Sequence, residues 1–540
     1  MTRGSGSGLV FALAFALGSH VGLATPPSTT RAQTAIEPAQ VRLDATRPTR
    51  KLDPLLFGMH IEWVENGLGL MSASSDELRS EVVDLLRPLK LPLLRFPGGI
   101  LADYYDWRKG TGSAESRGTN PNPFTGTDEK SRFGTPELIA LARALGAQAL
   151  ITANVGTGNA QMAGDWAQEF VSQGFAPSYW EVGNETYLTG PNSTGPNGSA
   201  IHQPPAVYAA GFAAYRDAIR KAIPTAKVGA IAHLDTGAFP LAPAESRSWT
   251  TTMLAALTTP VDFIALHNAY APVIIDDSVD FTDPEARAKA YRSLYAAAEQ
   301  SRANLDDVAR TVDRLSPVNK DAPFAITEFG PFFGVSQDVA HHTAYVDQSR
   351  TLAAALYVAS ILDTFIGDPR VFMAAYTNPI HRWFGSLLTD TPEGLVRTPT
   401  YWVYDLYRRR FEANLVATEV VISPSFSAPL TGVVKAATEV PDLLAKASLS
   451  DDRKRLTAIL VNRSLDRALD TTIEVKGFTP ATADCKVLTA SSPSAINGTP
   501  YGDTVQGGQS IVPQSTSCEV GSTIQLRIPA SSFVSVVAGA

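Results

Sequence analysis

The chain is poor in cysteine, in positive charge and in long apolar runs, and each shortage removes a class of function. Only two cysteines occur, Cys485 and Cys518, with no histidine near them in sequence, so they do not make a zinc site. The eight histidines do not cluster at ligand spacing, no His-Glu-x-x-His is present, and His341 and His342 are adjacent, so no metal centre is expected. The formal charge of −8 and pI of 5.6 supply no basic surface to displace counterions from phosphates, which excludes a nucleic-acid partner. The same acidic balance favours a neutral substrate over an anionic polymer. Neither G-x-G-x-x-G nor G-x-x-x-x-G-K-[ST] stands at a strand–helix turn, and no G-x-S-x-G elbow occurs. Nucleotide cofactors and serine-hydrolase chemistry are therefore without support.

One long apolar run exists, from Leu9 to Ala24 behind Arg3, broken only by Ser19 and His20. Gly22 and Ala24 place small residues where a signal peptidase requires them, so 1–24 is predicted to be a signal peptide and the protein to be secreted or periplasmic. No other segment is apolar enough to span a membrane, and residues 25–38 have the composition of a flexible leader. In an exported protein Cys485 and Cys518 are expected to form one disulfide within a single domain.

At 540 residues, 44% hydrophobic and 18% charged, the chain suits one large globular domain and a smaller one. Short apolar strands are predicted at 57–62, 92–98, 147–155, 178–185, 227–232, 262–268, 323–329 and 371–377. Helical periodicity separates them, as at 76–90, 136–145, 205–222 and 345–366. Eight strands alternating with helices imply α/β architecture, a (β/α)8 TIM barrel over 55–398. Beyond about 400, strand-like runs (455–461, 470–475, 524–528, 533–538) follow one another without a helix signal, so 399–540 is predicted to be an antiparallel β-sandwich. Residues 39–54 are expected to add a strand to it from the amino-terminal side. Turn-rich loops follow the strands at 109–135, 186–204 and 271–284, on the face where such barrels carry their sites.

Glu185 closes the fourth predicted strand and Glu328 the seventh. Retaining glycoside hydrolysis needs two such carboxyl groups, roughly 5–5.5 Å apart, one protonating the leaving oxygen and one attacking the anomeric carbon. Arg95 is a candidate cation to keep Glu328 ionised, while burial and the field of Glu328 would keep a proton on Glu185. Trp107, Trp180 and Tyr270 have apolar faces that suit a sugar or, equally, the core; Asn154 and Asn378, after the third and eighth strands, suit a turn first and a polar contact second. No cofactor is required by this chemistry.

The motifs also carry a resemblance. Trp180-Glu181-Val182-Gly183-Asn184-Glu185 looks like the Asn-Glu motif of clan A glycoside hydrolases, and Ile326-Thr327-Glu328-Phe329-Gly330 resembles the clan's nucleophile strand. Within the clan, Leu94-Arg95-Phe96-Pro97-Gly98-Gly99 with Asp103-Tyr104-Tyr105-Asp106-Trp107-Arg108 resembles family 51, the α-L-arabinofuranosidases. So do Phe57-Gly58-Met59-His60-Ile61-Glu62, His267 with Tyr270, and Arg397-Thr398-Pro399-Thr400-Tyr401. Ile100 departs from the pattern, since many members place a sugar-binding Asn there. The resemblance implies Glu185 as acid/base, Glu328 as nucleophile, Asn184 on the sugar's 2-hydroxyl and Glu62 on other arabinose hydroxyls. It also implies a plant-type polysaccharide or oligosaccharide substrate. An endo-acting β-glycanase of the same clan and a non-catalytic carbohydrate-binding barrel are the competing readings.

Overall fold

The computed structural model describes residues 35–540 except 190–192, 235–243, 268, 275–278, 334–345 and 382–384. The predicted signal peptide, most of the leader and His341–His342 lie outside the described residues. The first strand, Ala35–Lys51, opens inside the segment read as leader.

Eight parallel strands close a barrel in chain order: Gly58–His60, Leu93–Phe96, Gln148–Ala153, Tyr179–Val182, Lys227–Ala232, Phe263–Leu266, Phe324–Phe329 and Val371–Thr377. The last pairs with the first, Thr377 opposite His60. Each coincides with a predicted strand, because apolar runs bounded by Gly, Pro and Asn mark buried parallel strands. Rings from alternate strands fill the barrel's interior, with Tyr179 against Phe263 and Phe372. Two residues further along the fourth strand the interior turns polar, at Glu181.

The helix Leu352–Gly367 begins at its Thr351 cap, seven residues after the expected start, and residues from Leu352 to Ile366 are all buried. It is covered on every side because it lies between the barrel and the carboxyl-terminal sheet. Among the described residues no helix is long and apolar enough to cross a membrane.

The carboxyl-terminal domain is a ten-stranded sheet with Ala35–Lys51 in its interior, antiparallel to Asn414–Ile422 on one side. On its other side that strand runs parallel to Arg467–Lys476, so the sheet is antiparallel except at one pair. No hairpin dictates the direction of a strand arriving from the far end of the chain. A second difference is the helix Pro399–Arg410 at the start of the segment expected to hold strands alone. Its aromatics, Tyr401, Tyr404 and Tyr407, have strand propensity, yet Thr398 caps it, Pro399 sits in its first turn and three arginines close it. Cys485 and Cys518 are disulfide-bonded, bringing together segments 33 residues apart.

Candidate active site

The site is built around Arg95, on the second barrel strand and fully buried. Its Nε donates to Glu181 Oε1 at 2.6 Å, and its Nη2 donates to Asn184 Oδ1 at 2.6 Å. Its Nη1 donates to His60 Nδ1 at 2.6 Å and to Glu328 Oε2 at 3.3 Å. Burial works against the guanidinium charge, but Glu181 and Glu328 outweigh it, so Arg95 stays cationic. Burial also opposes the Glu181 charge; the field and hydrogen bonds of Arg95, with His267 and Thr152, hold its carboxyl below the ordinary value.

Because an arginine only donates, the geometry fixes neighbouring groups. His60 accepts at Nδ1, which leaves its Nε2 hydrogen for Glu62 Oε1 at 3.4 Å. Burial pushes the His60 imidazole down to about 3, so it is neutral. Asn184 must turn Oδ1 to Arg95, and its buried Nδ2 then has no partner. Glu62 is pushed up to about 7 by burial, with Glu129 adding to the rise against the pull of Arg95. The Pro-Gly-Gly turn is what lets the backbone pass this close: a Cβ on Gly98 would stand 2.5 Å from the Ile61 carbonyl and one on Gly99 2.7 Å from Glu62 Oε1. Both glycines also have positive φ, 73° and 48°.

Glu185 receives a hydrogen bond from Tyr187 Oη at 3.3 Å and lies 3.2 Å from His267 Nδ1. The other ring nitrogen of His267 is 2.5 Å from Thr327 Oγ1, the residue before Glu328. Burial raises the Glu185 carboxyl, but the His267 hydrogen bond and charge, with His233 and Arg95, bring it below its ordinary value. Burial and the field of Glu328 therefore do not hold the proton as the sequence suggested. Glu328 and Glu185 keep side-chain exposures of 27% and 14%, against 0% for Glu181, so these two carboxylates face the opening.

The structure thus gathers Glu62, Arg95, Asn184, Glu185, His267 and Glu328. It does not bring the aromatic candidates with them. Trp107 is buried, stacked on Trp166 and bonded to the Met162 carbonyl. Trp180 packs on Trp166 and Phe170, on the helix side of its strand. Tyr270 is buried with its hydroxyl on Asn304 and its ring against Phe365. Asn154 caps its own turn, accepting from Thr157 and Gly158. Asn378 is buried after the eighth strand at φ 59°, and its Oδ1 has no hydrogen-bond partner.

Four contributors escaped the sequence reading: His60, Glu181, Tyr187 and His233. For the first two the signal was alternation. Successive strand residues point to opposite faces, so His60 shares a face with Glu62, and Glu181 faces inward because Trp180 faces out. His233 is buried after the fifth strand, its ring stacked on Tyr187 at 4.9 Å.

Comparison with known proteins agrees with this geometry. Residues 85–176 match the family model of the alpha-L-arabinofuranosidase 1 domain, and residues 330–532 that of the alpha-L-arabinofuranosidase C-terminal domain. An intracellular exo-alpha-L-arabinofuranosidase of Bacteroides ovatus is 24% identical over 78% of this chain and 79% of its own. An intracellular exo-alpha-(1->5)-L-arabinofuranosidase of Bifidobacterium longum is 22% identical over 91% and 90%. A solved family 51 alpha-L-arabinofuranosidase from Bifidobacterium longum superposes with a TM-score of 0.75 at 20% identity, covering 93% of this chain and 99% of its own. The expectation of a secreted or periplasmic protein is corrected by these relatives, two of which are named intracellular and point to the cytoplasm. The disulfide accordingly stands on its geometry and not on export. The two family models, the full-length relatives and the barrel with its sheet domain agree, and the chain belongs to glycoside hydrolase family 51, the alpha-L-arabinofuranosidases.

Proposed function

We propose that this enzyme is an exo-acting α-L-arabinofuranosidase, releasing α-linked L-arabinofuranosyl end groups from hemicellulose or arabinan side chains with retention of configuration. One observation carries the reading. Arg95 holds Glu328 with one arm and Asn184, the neighbour of Glu185, with the other, which ties the two candidate carboxylates to one rigid centre. The exo-acting names of the two relatives support the substrate.

Glu328 attacks the anomeric carbon as the glycosidic bond breaks, and Glu185 gives a proton to the departing oxygen. Glu185 then takes a proton from water as that water displaces Glu328. Asn184 Nδ2, buried and unpaired, donates to a sugar hydroxyl, and Glu62 accepts from another. Asn378 Oδ1 offers a further contact beside the first strand, since Thr377 pairs with His60.

The test is Glu185→Ala with azide. An aryl α-L-arabinofuranoside with a good leaving group should still arabinosylate the variant, and azide should restore turnover and yield the α-glycosyl azide, the configuration retained through two displacements. Substrates that need a proton should lose on the order of 10²–10⁴-fold. A retained α azide from Glu328→Ala, with the inverted β azide from Glu185→Ala, would reverse the assignment. Shortening of a β-glycan backbone without release of arabinose would replace the reading with an endo-acting glycanase.

A further inference from the structure

We propose that Asp103 is a positioning residue for the acid/base, fixing the backbone from which Asn184 and Glu185 project; this rests on Glu185 being that acid/base. Asp103 lies in the turn Ile100–Tyr104 after the second strand and is fully buried. Its Oδ1 accepts from Val155 N at 2.9 Å and Gly156 N at 3.1 Å, in the turn after the third strand. Its Oδ2 accepts from Asn184 N at 2.9 Å, in the turn after the fourth. One carboxylate therefore joins three consecutive strand ends. Its own carbonyl adds Thr157 N at 3.1 Å and Thr157 Oγ1 at 2.9 Å.

The bond to Asn184 is the decisive one. The ladder between the third and fourth strands ends at Gly183 N, which donates to the Ala153 carbonyl at 2.9 Å. One residue later the Asn184 N–H has left the ladder, and the acceptor it meets is Asp103. Arg95 fixes the Asn184 side chain but not its backbone. Without the carboxylate, the Asn184 N–H would lose its acceptor, and the nearest backbone bonds to other segments would be at Gly183 N before it and at the Thr186 carbonyl, which accepts from Gln203 N at 2.9 Å, after it. The approach is close enough to dictate the facing residue, since a Cβ at Gly156 would come within 2.9 Å of Asp103 Cβ. Both oxygens accept, which an ionised carboxylate does and an amide does not: Asp103→Asn would turn an NH2 toward an N–H.

Displacement of a catalytic group by about 1 Å costs on the order of 100-fold where that group acts in the transition state. Asp103→Asn and Asp103→Ser, with Glu185→Ala beside them, should be assayed on dinitrophenyl, nitrophenyl and phenyl α-L-arabinofuranosides. For the Asp103 variants, kcat/KM on the dinitrophenyl substrate should stay within about threefold of wild type, because that departure needs little acid and Arg95 still holds the Asn184 side chain. On the phenyl substrate it should fall about 10–100-fold, giving a steeper dependence on leaving-group acidity. A merely structural role lowers the folded fraction and so depresses all three substrates alike; that result, or no change, overturns the proposal. If neither variant folds, Asp103→Glu keeps the charge but shifts it by a methylene, and must show the same steepening. Should Glu185→Ala itself lack the steepening, the acid/base reading fails and the proposal with it. A steep Glu185→Ala beside level Asp103 variants overturns the proposal alone.

Discussion

The mouth of the barrel and the core of the carboxyl-terminal sheet solve the problem of burial in opposite ways. In the sheet, Ile524, Leu526 and Ile528 point inward while Gln525 and Arg527 point out, Arg527 reaching Asp470 at the surface. At the barrel mouth Arg95, Glu181, His60 and Glu62 are all buried together. The sheet obtains stability from apolar area removed from water. The mouth instead holds desolvated charge at a cost in stability, offset chiefly by the fully buried Arg95–Glu181 pair and less by the part-exposed Glu328. Stability and chemistry are therefore assigned to different parts of the molecule, and substitutions should separate them.

The sharpest separation is Glu328→Ala, which should abolish turnover of every substrate while leaving the melting temperature unchanged or higher, read by activity and calorimetry on one preparation. A melting temperature that fell with the activity would join the two roles again. Arg463 probes the opposite case. It is a fully buried charge on the sheet domain, with Nη1 on Glu299 Oε1 at 3.0 Å and Nε on the Pro441 carbonyl at 3.1 Å. Its partner Glu299 lies on the helix Pro284–Leu315. Arg463→Ala should cost about 3–5 kcal/mol of stability in denaturant titration, with kcat/KM of the folded fraction unaltered. A change in KM would show that the seam reaches the site.

The smallest effect concerns Glu62 and depends on pH. Its carboxyl is raised from 4.5 to about 7 in the folded protein. Folding therefore gains from its protonated form at low pH, and that gain is lost as pH rises from 4.5 through 7. Glu62→Gln should match wild type in melting temperature near pH 4 and exceed it by about 2 °C near pH 8, at the expense of substrate binding. Equal melting curves at both pH values would remove Glu62 from the strained set.

The eight barrel strands were legible because their apolar runs are short, punctuated and repeated. The helix Pro284–Leu315 was not among the expected elements, since its buried face interleaves alanine, serine, threonine and Asn304 with Tyr291, Leu294, Tyr295 and Leu305, which blurs the apolar period. Glu185 and Glu328 were legible because a carboxylate at the end of an apolar strand is unusual. Trp107 and Tyr270 misled because an aromatic in a loop looks the same whether it turns to solvent, sugar or core. Which it meets is decided by residues distant in sequence, Trp166 for one and Phe365 for the other. The contact between Glu185 and His267 was illegible for the same reason: 82 residues separate them in the chain.

The strand Ala35–Lys51 sits inside the sheet, between segments that begin at Asn414 and Arg467. During synthesis it leaves the ribosome first and waits for partners made after the whole barrel. At 5–20 residues per second that wait is roughly twenty seconds to a minute or more. Throughout it, a long strand with both edges unpaired is open to pairing with another chain. Its outward charges, among them Arg42 and Asp44, which later meet Glu474 and Lys476, are suited to keeping it solvated in the interval. Cutting the chain behind Lys51 would not trim a tail. It would part the sheet between Asn414–Ile422 and Arg467–Lys476 and leave pieces of six and three strands, each with a raw edge.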